Sequence, residues 1–151
     1  MDSELTRQLL EQSPDATIYA GTDGMIVFWN AAAERVFGHT TEQATGQSLD
    51  LIIPEQFRDA HWTGYDRALA AKDTKYRGQS LATRATRADG ETIYVELGFS
   101  IVLNAGGEAI GAMATARDIT ERFNKDRETR RRLRELEAAE KERSGTGVPN
   151  A

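Results

Sequence analysis

Two histidines and no cysteine limit the metal and redox chemistry open to this 151-residue sequence. His61 lies in a segment of helical character, whereas His39 follows a shorter helical segment, where we expect a surface position. A neutral imidazole is a good ligand for iron and for other metals. A lone histidine on a helix is more commonly a polar or capping residue, so the residue types alone leave both interpretations of His61 open.

The sequence lacks the other common catalytic patterns. Without cysteine it has no disulfide, thiolate metal site or thiol nucleophile. No glycine-rich phosphate loop follows a predicted strand, no histidine pair has metal-ligand spacing, and no G-x-S-x-G motif occurs. Trp29 and Trp62 are large enough to stack on a flat ligand, although tryptophans more commonly serve in packing. We therefore predict that the protein is not an enzyme.

Length and composition indicate one domain with one hydrophobic core. Hydrophobic residues make up 39% of the chain and charged residues 28%, which is typical of soluble globular proteins. The net charge of −5 argues against a broad nucleic-acid-binding surface. The acidic start is unlike a signal peptide, and no apolar stretch approaches the roughly 20 residues that cross a bilayer. We therefore predict a cytoplasmic protein with neither a nucleic-acid nor a membrane partner.

Periodicity and turn signals predict two strands, several short helices, one longer helix and then three more strands. Asn30 is a suitable N-cap and Gly38 a suitable terminator for one short helix. Pro54 suits the first turn of the longer helix. This order makes an α+β domain, in which an antiparallel sheet has helices gathered on one face. The predicted segments are helix 3–12, strands 16–20 and 25–29, helices 31–37 and 41–46, helix 54–71, and strands 74–87, 92–103 and 109–117.

The segment 118–143 is highly charged and favours a helix. Its apolar residues form two pairs, Ile119 with Phe123 and Leu133 with Leu136, and polar residues occupy the heptad positions between the pairs. A strong coiled coil needs apolar residues at those positions. We therefore expect a linker-type helix that pairs only weakly.

Several short motifs resemble those of the PAS family over about residues 5–123. Each motif is weak alone, but the ordered set is specific. The last of them, Asp118-Ile119-Thr120, is similar to the motif with which the family leaves its closing strand. The motifs are Asp23-Gly24, Asn30-Ala31-Ala32-Ala33-Glu34, Phe37-Gly38, Ile53-Pro54-Glu55, Asp89-Gly90 and Asp118-Ile119-Thr120.

The resemblance implies a PAS fold with a five-stranded antiparallel sheet, small helices on one face, a short N-terminal helix and a long C-terminal helix. Asp118 and Thr120 suit the capping of backbone N–H groups where the last strand gives way to a helix. We expect Asp118, Ile119 and Thr120 to relay movement of the sheet to that helix. The expected divisions are an N-terminal amphipathic helix at 1–14, a PAS domain at 15–118, a signalling or dimerisation helix at 119–143 and a disordered tail at 144–151.

The stretch 54–61, followed by Gly64-Tyr65 and Arg67, is similar to the haem-binding helix of FixL-type oxygen sensors. In that family a histidine at the position of His61 is the proximal ligand of b-type haem iron. An arginine at the position of Arg67 lies near a haem propionate. The resemblance further implies an apolar haem pocket, which in this sequence is lined by Val95, Leu97 and Phe99.

Leu81 stands where this family has its oxygen-bonding arginine. Without that donor, bound O2 lacks a charge-assisted hydrogen bond, so a haem here is expected to favour CO or NO unless Arg84 swings in. Trp62 and Thr63 also depart from the family's local pattern. The resemblance therefore implies a haem pocket with altered selectivity among diatomic gases.

These features predict a sensor or signal-input domain. It would bind a small ligand, and the resemblance implies that this ligand is b-type haem carrying a diatomic gas. It would relay the signal through the C-terminal helix. The expected partners are a second copy of the chain and a histidine kinase or other signalling protein. The alternative is a PAS module without a cofactor that serves dimerisation and protein interaction.

Overall fold

The computed structural model describes residues 1–74 and 78–146. The strands are β1 (Ala16–Gly21), β2 (Ile26–Trp29), β3 (Leu81–Thr86), β4 (Thr92–Leu103) and β5 (Ala109–Asp118). The helices are α1 (Ser3–Glu11), α2 (Ala31–Phe37), α3 (Thr41–Ala44), α4 (Arg58–Ala71) and α5 (Thr120–Thr146), with 3-10 turns at Leu49–Ile52 and Glu55–Phe57. One compact unit ends at Ile119 and a second begins at Thr120. In the described part of the chain, no helix combines the length and apolar character that a bilayer crossing requires.

The five strands form one sheet in the order β2-β1-β5-β4-β3, and every neighbouring pair is antiparallel. The first and last strands are therefore central neighbours, although most of the domain's sequence separates them. Ala114 of β5 lies opposite both Ile18 of β1 and Phe99 of β4, which fixes the register of the three central strands. The predicted α+β class with a five-stranded antiparallel sheet is confirmed.

The hydrophobic core lies between one face of the sheet and the helices α2, α3 and α4. Alternate residues of β4 point into this core, because successive side chains of a strand face opposite sides of the sheet. This confirms the period-two pattern read from the sequence. These inward residues are Ile93, Val95, Leu97, Phe99 and Ile101.

Asn30 joins three parts of the fold. Its side chain is 0% exposed and caps α2, where Oδ1 accepts a hydrogen bond from the Ala33 N–H at 3.0 Å. The same oxygen accepts from the Thr17 N–H of β1 at 2.9 Å. The amide nitrogen Nδ2 donates to the carbonyls of Leu10 at 2.9 Å and Asp15 at 3.1 Å. The predicted cap is confirmed, and it also holds the end of α1 and the start of β1.

The boundaries of the longer helix and of the strand after it differ from the prediction. A 3-10 turn follows Pro54, with the Phe57 N–H donating to the Pro54 carbonyl at 2.9 Å, and the α-helix begins at Arg58. The tighter turn arises where no side chain caps the helix start. β3 begins at Leu81 rather than at 74, because its pairing with β4 starts where Leu81 faces Leu97. Within the predicted strand, residues 75–77 lie outside the described residues.

The C-terminal helix extends further than the sequence indicates. It begins at Thr120, after Asp118 has closed β5, and it runs to Thr146, so 144–146 of the predicted tail are helical. Gly145 lowers helix stability by only about 1 kcal/mol relative to alanine, which a charged helix end tolerates. The rest of the predicted tail, 147–151, lies outside the described residues.

Candidate functional site

Apart from Ile18, the inward side chains of the neighbouring strands β1 and β5 are small. β1 and β5 present a row of alanines to the core, where most proteins place larger aliphatic residues. Helix packing over such short side chains leaves hollows unless larger residues fill them. The inward alanines are Ala16, Ala20, Ala112, Ala114 and Ala116.

The larger hollow has a volume of about 540 Å³, within the range of about 300–1,000 Å³ that is typical of small-molecule and cofactor sites. One wall is a face of α4 with His61 and Arg67. The opposite wall is formed by Leu81 of β3 with Leu97 and Phe99 of β4. This hollow therefore joins the side chains of His61, Arg67 and Asp73 to an apolar surface.

A second hollow of about 430 Å³ lies deeper against the sheet. It shares Ala60, His61, Leu97 and Phe99 with the first and adds Val95 from β4. His61 therefore borders both spaces. A ligand in either hollow would contact the imidazole.

The Nδ1 atom of His61 is buried and has no hydrogen-bond partner. Burial lowers the pKa of His61 below its usual value, and the nearby Asp50 carboxylate opposes this only in part. The ring is therefore neutral at neutral pH and keeps a nitrogen lone pair. A neutral imidazole that borders an apolar hollow is a suitable ligand for a metal or for a polar group of a bound molecule.

Lowering the pH should destabilise the ligand-free protein through His61. The unfolded chain protonates this histidine near pH 6.5, whereas the folded protein resists protonation because its pKa is lowered. The stability that the neutral ring contributes is therefore fully present above pH 6.5 and is lost as the pH falls below it.

Urea denaturation of the wild type and of His61→Gln, each at a pH above and a pH below the usual histidine pKa, tests this effect. His61→Gln should lose less stability on acidification than the wild type does, because the glutamine does not titrate. Equal losses in the two proteins would contradict the assignment.

Two aromatic rings pack against His61 on α4. The ring centroid of Trp62 lies 4.7 Å and that of Tyr65 5.7 Å from the His61 ring. Trp62 Nε1 donates to Asp50 Oδ1 at 2.7 Å, and the Tyr65 hydroxyl donates to the Gly21 carbonyl at 2.7 Å. Burial raises the pKa of Tyr65 to about 12, so the hydroxyl remains a donor.

Gly24 allows the Trp62 ring to approach the turn between β1 and β2. It has φ +77°, and a Cβ at this position would clash with the indole of Trp62. Sequence reasoning found the Asp23-Gly24 turn and the Gly64-Tyr65 pair, but it did not find that the turn and α4 touch. No sequence signal connected Asp50 with Trp62, since the contact arises only from the fold.

The structure brings the six predicted cofactor-site residues around the two hollows. Five of them border the larger hollow, and Val95 borders the deeper one. Leu81 is 38% exposed, so it lies at the edge of the space. Cofactor binding by these residues stays a prediction. The five are His61, Arg67, Leu81, Leu97 and Phe99.

His39 differs from its predicted position, and Arg84 is a further basic residue at one of the hollows. His39 is half-buried rather than on the surface, because the Trp29 indole donates to its carbonyl at 3.0 Å and draws the loop inward. Burial lowers its pKa, but it lines neither hollow. Arg84 borders the deeper hollow with its guanidinium 5.8 Å from the Phe57 ring centroid.

The residues present fit a haem better than a bare metal ion. In the two described ranges, no three His, Cys, Asp or Glu side chains converge in a way that would hold an ion. A porphyrin supplies four of its iron's ligands itself and needs only one axial imidazole from the protein. The imidazole of His61 borders both hollows, and the apolar walls suit a macrocycle.

The exit from the sheet lies next to the deeper hollow. Asp118, the last residue of β5, pairs with Val95, which lines that hollow. Ile119 is buried at 8% exposure, and its N–H donates to the Tyr94 carbonyl at 2.9 Å. Thr120 begins α5. Val95 and the strand end that precedes the helix are therefore neighbours in the sheet.

The sequence matches the model of the PAS fold over residues 4–119, and the chain belongs to this family. The structure resembles the PAS domain of a protein from Colwellia psychrerythraea with a TM-score of 0.68 and 20% identity, covering 78% of this chain and 97% of that one. An RNA-binding Light-Oxygen-Voltage receptor gives a TM-score of 0.68 and 20% identity, over 86% of this chain and 36% of that one. The predicted PAS fold is therefore confirmed.

Three relatives with longer chains share this region. An uncharacterized protein of Azorhizobium caulinodans is 37% identical over 122 residues, 80% of this chain and 16% of that protein. The sensor protein FixL of Bradyrhizobium diazoefficiens is 31% identical over 132 residues, 87% of this chain and 25% of FixL. The oxygen sensor protein DosP of Escherichia coli is 25% identical over 121 residues, 80% of this chain and 15% of DosP. The match thus spans a quarter or less of each relative's length, and the likeness to two sensor proteins supports a sensor PAS domain.

Proposed function

We propose that this PAS domain is the ligand-binding input module of a sensor and that its ligand is b-type haem. The observation that carries the proposal is the position of His61, a neutral imidazole at the shared wall of two hollows. Its likeness to the sensor protein FixL and to the oxygen sensor protein DosP supports the role of a gas sensor.

In this proposal the chain's own residues bind and orient the cofactor. His61 would hold the haem iron, and a bound haem would supply reversible binding of a diatomic gas. Arg67 borders the same hollow as His61 and offers a guanidinium to a carboxylate substituent. Leu97 and Phe99 border both hollows and keep water from the ligand.

The signal would leave through β4 and β5. Val95 borders the deeper hollow and is the register partner of Asp118, so a ligand that displaces Val95 also displaces the end of β5. Ile119 is tied to β4 by its hydrogen bond to Tyr94. We propose that Asp118, Ile119 and Thr120 convert this displacement into a change of angle or register of the helix that follows.

Leu81 provides a prediction about gas selectivity. In haem-loaded protein, Leu81→Arg should place a cationic donor at the edge of the larger hollow. A charge-assisted hydrogen bond contributes about 1.5–3 kcal/mol, so O2 affinity should rise roughly 10- to 100-fold while CO affinity changes much less. Gas titrations measure both affinities. Leu81→Met is the control without a donor, and an equal gain in that variant would contradict the explanation.

An absorption spectrum tests the proposed ligand directly. The full chain is expressed with haem supply, and its spectrum is recorded before and after reduction with dithionite and addition of CO. We expect one haem per chain, with a Soret band that shifts on CO binding. A flavin would instead absorb in the blue without responding to CO, although the sequence lacks the cysteine needed for a flavin–cysteine adduct.

A colourless protein that still associates would support the second candidate, a PAS module without a cofactor. The exposed leucines Leu5 and Leu9 of α1 favour such a contact role, since they are 50% and 57% exposed on a strongly amphipathic helix. In both cases we propose a non-enzymatic, cytoplasmic module that acts on a histidine kinase or another signalling protein. This proposal follows from the likeness to FixL, although the matched region covers only 25% of the length of FixL.

A further inference from the structure

The charge of α5 reverses along the helix. Between 122 and 134 the sequence has seven basic and two acidic residues, whereas between 135 and 142 it has four acidic residues and one basic residue. The change falls between Arg134 and Glu135. A helix that is basic in one half and acidic in the other is complementary to a copy of itself that runs in the opposite direction.

The same helix carries an exposed apolar pair at the point of reversal. Leu133 is 55% and Leu136 is 67% exposed, and two residues three apart lie on one face of a helix. On either side of the two leucines, polar residues occupy the positions that continue the same heptad repeat. These are Asp126 and Thr129 towards the N-terminus and Glu140 and Arg143 towards the C-terminus.

A parallel pair of α5 helices would place like charges together in this seam. In register, Leu133 would face its counterpart, but Asp126 would face Asp126 and Glu140 would face Glu140 of the second copy. Like charges held close at a partly desolvated interface oppose association. The polar residues that make this helix a poor parallel coiled coil therefore argue against one orientation rather than against pairing itself.

An antiparallel pair about the point between Arg134 and Glu135 removes these conflicts. Leu133 then faces Leu136 of the second copy, and Asp126 faces Arg143 of the second copy. Beside the seam, Arg130 approaches Glu137 of the second copy. Each contact occurs twice because of the two-fold symmetry. The register that joins the leucines is therefore also the register that pairs opposite charges.

We propose that α5 docks on α5 of a second copy of this chain in antiparallel orientation, with Leu133 against Leu136 at its centre. The paired stretch covers 123–146, about 24 residues or about 36 Å of helix. Residues up to Ile119, the end of the first compact unit, lie outside this stretch. The inference is independent of the ligand proposed for the PAS domain.

Single cysteines in this cysteine-free chain test the orientation. Thr129 faces Glu140 of the second copy only in the antiparallel register, within the Cα separation of about 4.4–6.8 Å that a disulfide needs. In that register Thr129 lies about 16 Å along the axis from its own counterpart. We therefore expect a mixed disulfide when full-length Thr129→Cys and Glu140→Cys are combined under oxidising conditions, and almost no disulfide in either variant alone.

Each alternative result overturns the proposal. A disulfide in each single variant alone would show a parallel pair, and the absence of any disulfide at about 100 µM protein would show that α5 does not pair with a second copy in this register.

Reversing the charge of residues beside the seam, in the background of the cysteine variants, tests the register independently. Arg130→Glu should lower the yield of mixed disulfide about fivefold, and adding Glu137→Arg should restore it. Failure of the second substitution to restore the yield would also contradict the register.

Discussion

The His61→Ala variant is expected to bind no haem under conditions in which the wild type binds one haem per chain. His61 borders both hollows, and no other histidine lines either of them, so the substitution removes the only imidazole available there as an axial ligand. The Soret band should be lost rather than merely weakened. The absorbance of haem relative to that of protein, measured after gel filtration, gives the stoichiometry.

His39→Ala is the matched control for this prediction. His39 is also half-buried, has a buried nitrogen without a partner and has a lowered pKa, but it packs edge-on against Trp29 and lines neither hollow. Its removal should leave the haem content unchanged. Retention of haem by His61→Ala would refute the proposed ligand, and loss in both variants would show that the effect comes from folding rather than ligation. Circular dichroism of each apoprotein separates these cases.

The Asn30→Ala variant is expected to lose about 3–5 kcal/mol of unfolding free energy. The substitution leaves two backbone N–H groups and two carbonyls without the partner that Asn30 provides. Each buried polar group without a partner costs about 1–3 kcal/mol, reduced here where a carbonyl is only partly buried. Because domains of this size are stable by about 5–15 kcal/mol, much of the protein should unfold in low urea.

Asn104→Ala is the control for burial. Asn104 also accepts two backbone hydrogen bonds, from the N–H groups of Gly106 and Glu108 at 2.9 Å each, but it is exposed in the turn between β4 and β5. Water replaces its side chain there, so the loss should be below about 1 kcal/mol. Urea denaturation of both variants measures the difference. Equal losses of unfolding free energy in the two variants would show that burial is not the reason why Asn30 stabilises the fold.

The sequence determined the class of fold because its local signals agree with the tertiary structure. Asn30 and Gly38 bracket α2 in the prediction and in the structure. This agreement is expected, because an N-cap residue and a glycine in the left-handed conformation act within one or two turns of the helix. The alternation in β4 predicted its buried face for the same reason. Boundaries that depend on distant partners were less predictable, such as the start of β3, which is set by pairing with Leu97.

Individual site residues came from a resemblance, and their convergence came from the fold. The spacing of His61 and Arg67 places both on one helix, but nothing local brings Leu81 and Phe99 to the same hollow. The sequence by itself fixed which side chains were available, because helix and strand periodicity act over a few residues. Only the tertiary structure decided that Ile18 of β1, Ala114 of β5 and Phe99 of β4 would border one space with His61, because that space depends on strands far apart in the chain lying side by side.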